Sequence, residues 1–126
     1  MKSIIAISSL LVASVAAVPL EARSPSVTFA LSNDYSGAYA GATFAADGTD
    51  KSIKSLFGTS SVASGGVVRA SSGQLTAFPQ SISCVLKNGG TTFPTLTAQR
   101  TYIDLDGNPS AVNPVDLTTA VITCWA

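Results

Sequence analysis

The sequence predicts an all-β protein: a small antiparallel β-sandwich or barrel of six to eight strands, with one disulfide. Short runs of β-branched and aromatic residues recur at intervals of about 8–14 residues, separated by Gly, Pro, Asn and Asp. No window carries the sustained 3.6-residue apolar repeat of an amphipathic helix. With 46% hydrophobic and 11% charged residues, the chain can bury a core and does not have the composition of a disordered segment.

The clearest strand candidates alternate apolar and polar positions and end at turn residues. The first alternates Val27, Phe29 and Leu31 with smaller or polar residues, and a break follows at Asn33. Further candidates are centred on Cys84 and extend over 96–103 and 115–124; weaker ones are 38–45, 66–70 and 74–78. One helical turn is predicted within 51–57, and the Ser/Gly-rich stretch 58–73 is expected to contribute least to the core.

The first 23 residues predict export from the cell. Residues 1–17 have the basic start, apolar run and small terminal residues that are typical of a secretory signal peptide, and they are too short for a membrane span. Residues 18–23 form a candidate pro-segment, and 24–126 is expected to be a single β domain. No later apolar run is long enough to cross a membrane, so we expect a released, extracellular protein without membrane insertion.

Cys84 and Cys124 are the two cysteines of the chain. Two cysteines have one pairing, and an oxidising export route favours the disulfide. Closing this loop stabilises the fold by ~4 kcal/mol in the chain-entropy treatment. The alternative is a pair of buried thiols; a redox-active pair is disfavoured because the Cys-x-x-Cys spacing is absent.

The composition argues against several classes of function. Seven basic and seven acidic residues give a formal net charge of zero, without the basic patch typical of nucleic-acid binding. The chain has no histidine, which excludes a Ser-His-Asp triad, a Cys-His pair and an imidazole metal site. Asp104 and Asp106 could pair as glycosidase carboxylates, but aspartates at a turn more often serve local hydrogen bonding. We therefore predict no enzyme, no catalytic residue and no cofactor.

A calcium site is a weak alternative at the same turn. Asp104, Asp106 and Asn108 occupy the first, third and fifth positions of a calcium-loop pattern, and Asp116 could add a fourth ligand. Pro109 then stands where the pattern needs glycine, and the expected bidentate glutamate is missing. The sequence favours a tight turn between two strands.

Tyr35 and Tyr39 are the predicted binding surface. Their neighbours are Ser, Gly and Ala, and small neighbours leave an aromatic side chain accessible to a partner. Phe44 and Tyr102, by contrast, are predicted to lie in the core.

Three segments carry a family resemblance. They are SNDYSGAYAGATFAADG at 32–48 with LFG at 56–58, QLTAFPQSISC at 74–84, and LTAQRTYIDLDGN at 96–108 running on to PVDL at 114–117. Together they resemble small secreted proteins of filamentous fungi known as hypersensitive response-inducing proteins, which act as elicitors. The resemblance covers most of 27–124 and implies an extracellular β-fold protein that plant tissue perceives, with localised cell death and defence. It offers no motif whose functional residues can be transferred.

Two functions follow as hypotheses. The first is a secreted, non-enzymatic elicitor or effector that acts through contact with a host cell-surface protein or a cell-wall component. The alternative is an extracellular carbohydrate- or cell-wall-binding module that uses Tyr35 and Tyr39. A membrane-active toxin is disfavoured because such proteins usually carry a basic face. The sequence leaves the oligomeric state open.

Overall fold

The computed structural model describes residues 25–107 and 113–126. The predicted signal peptide, the candidate pro-segment and Asn108 lie outside the described residues. Within them, no helix is long and apolar enough to cross a membrane.

The described chain consists almost entirely of antiparallel strands with one short helix. Of the twelve strands within residues 25–107 and 113–126, four are only two residues long, and the eight longer ones agree with the predicted six to eight. All-β architecture with one disulfide is confirmed. The elements are β1 Ser26–Asn33, β2 Ala38–Ala45, β3 Asp47–Ser52, α1 Ile53–Phe57, β4 Ala63–Ser64, β5 Val67–Ala70, β6 Ser72–Ala77, β7 Ser83–Asn88, β8 Thr91–Thr92, β9 Leu96–Thr97, β10 Tyr102–Asp104, β11 Val115–Asp116 and β12 Val121–Trp125.

The strands of the described residues form three sheets. A four-stranded sheet has the order β10-β6-β1-β2, and a second large sheet has the order β3-β12-β7-β8, with β9 also paired to β7. A small sheet has the order β11-β5-β4. All three contribute buried residues to one hydrophobic cluster, so the sheets enclose a shared core.

Strand β1, the third strand of the four-stranded sheet, contributes three large side chains to the core. Val27, Phe29 and Leu31 are buried on its inner face, as the alternation predicts. The rings of Phe29 and Phe57 meet edge to face, with centroids 6.4 Å apart, which attaches α1 to the sheet. On β6, Gly73 pairs with Leu31, and a Cβ at Gly73 would lie 2.6 Å from the Phe29 ring, so this position requires glycine.

Two predicted strands are interrupted by side-chain turns. The 96–103 prediction is wrong in the middle, because Thr97 Oγ1 accepts hydrogen bonds from the amides of Gln99 and Arg100. The chain then leaves β7 and joins β6 as β10, in the other large sheet. The 115–124 prediction is divided likewise, because Asp116 Oδ1 accepts from both the amide and the hydroxyl of Thr118.

Two further predictions are corrected by long-range packing. Strand β3 was not predicted because Asp47-Gly48 has turn composition, yet β3 pairs with the distant β12. The stretch 58–73, expected to add least to the core, buries Val62 and Val68. The predicted helical turn is present as α1, where Ser52 caps the N-terminus by accepting from the Ser55 amide at 3.2 Å.

Candidate functional site

The disulfide holds the C-terminal strand in the centre of its sheet. Cys84 on β7 and Cys124 on β12 are direct cross-strand partners and are bonded, with Cα atoms 4.1 Å apart. Both residues are buried, which confirms the predicted pairing and excludes the alternative of two thiols. Strand β12 lies between β3 and β7, so the bond fixes the strand on which the sheet depends.

Tyr35 stands at the tip of the β1–β2 hairpin and is 79% exposed. The turn beneath it is built by Asn33, whose Oδ1 accepts hydrogen bonds from the amides of Tyr35 and Ser36. Gly37 closes the turn with φ 80° and donates its amide to the Asn33 carbonyl at 2.7 Å. Local hydrogen bonds thus fix the backbone that carries the tyrosine.

A buried serine anchors the same turn to the rest of the protein. The Ser71 hydroxyl donates to Asp34 Oδ2 at 2.8 Å and accepts from the Asp34 amide at 3.0 Å. The Ser71 amide donates to the carbonyl of Ser32. Because Ser71 is only 2% exposed, the hairpin tip is attached to a buried point rather than to another surface loop.

Tyr39 follows on β2 and faces outward from the four-stranded sheet. It is 58% exposed, while its chain neighbours Ala38 and Ala40 pack against the core. Its carbonyl accepts from the Ser61 hydroxyl at 2.7 Å. Tyr35 and Tyr39 therefore lie at the same end of the sheet, one on the turn and the other on the outer face.

Tyr102 is an exposed aromatic that the sequence reasoning missed. It was predicted to lie in the core with Phe44; Phe44 is buried, but Tyr102 is 53% exposed. The next residue, Ile103, is buried against β6, so the two-residue period of β10 directs Tyr102 outward. Alternation with Ile103 was the signal that could have revealed it.

Trp125 forms a separate aromatic feature on the second large sheet. Its indole lies over Gly48, where an added Cβ would be 3.2 Å from Trp125 Cδ1 and Nε1. Gly48 has φ 80° and occupies the register shift between β3 and β12. The irregular strand therefore makes room for the indole.

Two of the described carboxylates, Asp47 and Asp116, accept hydrogen bonds within local turns. Hydrogen bonds from Thr49 hold the pKa of Asp47 at about 2, with a smaller contribution from Lys51 at 3.3 Å. Hydrogen bonds from Thr118 likewise lower the pKa of Asp116. These contacts stabilise backbone turns and set up no acid–base pair.

The calcium hypothesis stays a prediction. Asp104 ends β10, and Asp106 lies in the following bend, where its Oδ2 accepts from the Asn113 amide at 2.9 Å. The third predicted ligand, Asn108, is outside the described residues. Within residues 25–107 and 113–126, no three acidic, Cys or His side chains are grouped as a metal site.

The described surface is shallow, and its prominent features are exposed aromatic rings. No pocket is present in the described part of the chain. Comparison of the chain with protein-family models, with curated proteins and with solved structures finds no match.

Proposed function

We propose that this chain is a secreted, non-enzymatic elicitor- or effector-like protein that plant tissue recognises through its folded surface. The observation that carries the proposal is the display of Tyr35 on a hairpin tip held by Asn33 and Ser71. The predicted signal peptide supports the same proposal, as do the three segments that resemble hypersensitive response-inducing proteins.

The hairpin tip has the properties of an anchor for a protein partner. Tyrosine is enriched among the residues that dominate binding energy at protein interfaces. A backbone already fixed by hydrogen bonds loses little conformational entropy on binding, so the cost of ordering the loop offsets less of the favourable contact energy. We therefore assign recognition by a host cell-surface protein to the tip around Tyr35.

Leaf infiltration tests this assignment. The secreted, disulfide-intact protein is expected to cause local cell death, and Tyr35→Ala should need about tenfold more protein for the same response. Ser81→Ala, a change at another exposed position, is the matched control. Equal potency of Tyr35→Ala and the unaltered protein would show that the tip is not part of the recognition surface.

Binding of a cell-wall polysaccharide is the second candidate. The observation that favours it is that Tyr39 and Tyr102 both face outward from the four-stranded sheet. Retention of the secreted protein on insoluble chitin, β-glucan and cellulose tests this function. If the protein is retained on none of the three polymers, these polymers are excluded as ligands.

A further inference from the structure

We propose that the outer face of the sheet β10-β6-β1-β2 is a platform for a neutral polysaccharide chain, with Tyr39 and Tyr102 as its two aromatic contacts. This inference rests on the second candidate function and assigns it a site. The site differs from the sequence prediction, because it includes Tyr102 and leaves Tyr35 outside. We call this surface the tyrosine face.

The strand register defines the tyrosine face. One row across the sheet runs Tyr102, Gln74, Ala30 and Gly41; the next runs Asp104, Ser72, Ser32 and Tyr39. The two tyrosines thus stand on opposite edge strands, with β6 and β1 between them. At ~4.8 Å per strand, β10 and β2 are about 14 Å apart, which leaves room for an extended chain between the rings.

Most side chains on the floor between the two rings are small, and Gln74 is the exception. Ala30 is 2% exposed although it faces outward, and its neighbour Gly41 has no side chain. In the next row, Ser32 is short, polar and half-buried, whereas Ser72 is only 6% exposed and offers little surface to a ligand. The two rings therefore stand on the edge strands, and the side chains accessible between them are that of Gln74 and, in part, that of Ser32.

The chemistry of the tyrosine face matches a neutral sugar polymer. Sugars combine apolar C–H surfaces with hydroxyl groups. The tyrosine rings can pack against the C–H surfaces, and the hydroxyl of Ser32 and the side-chain amide of Gln74 can form hydrogen bonds with the sugar hydroxyls. Thr28 and Thr43, whose hydroxyl oxygens are 2.7 Å apart, extend the polar surface along the sheet. Among the described strand residues of this face, Asp104 is the only charged one, and it lies on the edge strand.

The same arrangement is less suited to a protein partner. The centre of a protein–protein interface is usually apolar and contains the large anchoring side chains. Here the side chains on the two central strands are small or polar, and the two aromatic side chains are at the edges. A low formal charge also disfavours acidic polymers, which need a basic surface.

Binding isotherms on insoluble chitin, β-glucan and cellulose test the site, using the secreted, disulfide-intact protein. Tyr102→Ala and Tyr39→Ala are each expected to weaken retention about tenfold on the polymer that is bound, whereas Tyr35→Ala should not. All three changes remove an exposed tyrosine, so Tyr35→Ala controls for general loss of aromatic surface. Thermal unfolding of each variant verifies that the fold is kept.

Gly41→Val supplies a test that adds atoms instead of removing them. A Cβ at Gly41 would meet Thr28 Cγ2 at 3.6 Å, an ordinary contact, and valine is favoured in strands. The variant should therefore keep or raise the melting temperature while its side chain fills the floor and weakens retention. Retention unchanged in both Tyr102→Ala and Gly41→Val would overturn the site.

The remaining outcomes distinguish a wrong location of the site from a wrong function. Retention of the unaltered protein that is lost only in Tyr35→Ala would keep polysaccharide binding but overturn the tyrosine face as its location. No retention of the unaltered protein on the three polymers would overturn both. A leaf response lost in Tyr102→Ala without any polymer retention would assign the face to a protein partner and contradict the proposal.

Discussion

Cys84 and Cys124 face each other directly across β7 and β12, and their disulfide joins the final strand of the chain to the middle of its sheet. On its other side, β12 pairs with β3, where the Thr123 hydroxyl donates to Asp50 Oδ1. One covalent bond therefore secures the contacts of two neighbouring strands.

Removal of this bond should lower the stability of the whole domain. The cysteines are 40 residues apart in sequence, and a loop of that size is expected to contribute ~4 kcal/mol to the free energy of unfolding. Urea denaturation of Cys84→Ser/Cys124→Ser beside the unaltered protein measures this. A loss below about 1 kcal/mol would mean that packing around β12 holds the strand without the bond.

Gly73→Ala should destabilise the core because its Cβ would lie 2.6 Å from Phe29 Cζ. The Phe29 ring is fully buried and has little space to move, so we expect a loss of ~1–3 kcal/mol in the free energy of unfolding. Gly41→Ala is the matched control on the outer face, and it should be neutral or mildly stabilising. Similar losses at both glycines would contradict the close packing of Phe29 on β6.

Thr49→Val should raise the pKa of Asp47 from about 2 toward 3.8, because it removes the hydroxyl that contributes most to the shift. Since the folded-state pKa is depressed, Asp47 stabilises the fold above pH 3.8, and this contribution is lost as the pH falls toward 2. NMR titration of the Asp47 carboxyl carbon measures the change. Thr49→Ser keeps the hydroxyl and should keep the low pKa; a shift as large as that of Thr49→Val would contradict the assignment.

Ser71→Ala should loosen the hairpin that carries Tyr35. The change deletes a buried hydroxyl that bonds the Asp34 carboxylate and amide, and its expected cost is ~1–3 kcal/mol in the free energy of unfolding. Faster hydrogen exchange at the amides of Tyr35 and Ser36, measured by NMR, would locate the effect at the tip. Unchanged exchange there would show that the Asn33 turn alone fixes the hairpin.

Local pattern was sufficient to predict β1 and β2, because their alternation and the turn between them lie within one hairpin. It was insufficient for β3, whose composition at Asp47-Gly48 is typical of a turn. That segment becomes a strand because it pairs with β12 and because Gly48 accommodates the indole of Trp125. Such pairing joins residues that are distant in sequence, and no local window contains it.

The candidate site was likewise predictable from local sequence only in part. Tyr35 and Tyr39 were predicted from their small neighbours, and both are exposed. Tyr102 was predicted to lie in the core, and this is wrong because alternation with the buried Ile103 directs its side chain outward. The tyrosine face could not be predicted at all, because it depends on β6 placing β10 in the same sheet as β2.

Leaf infiltration of the intact protein beside Cys84→Ser/Cys124→Ser is the most direct test of recognition through a folded surface. Circular dichroism under the conditions of the assay first measures how much of the disulfide-free variant is folded, and Gly73→Ala is added to that variant where it remains folded. We predict local cell death from the intact protein and none from the unfolded variant at equal dose. Equal cell death from both would assign recognition to a linear segment, and no response to the intact protein in leaves of several plants would contradict the elicitor function itself.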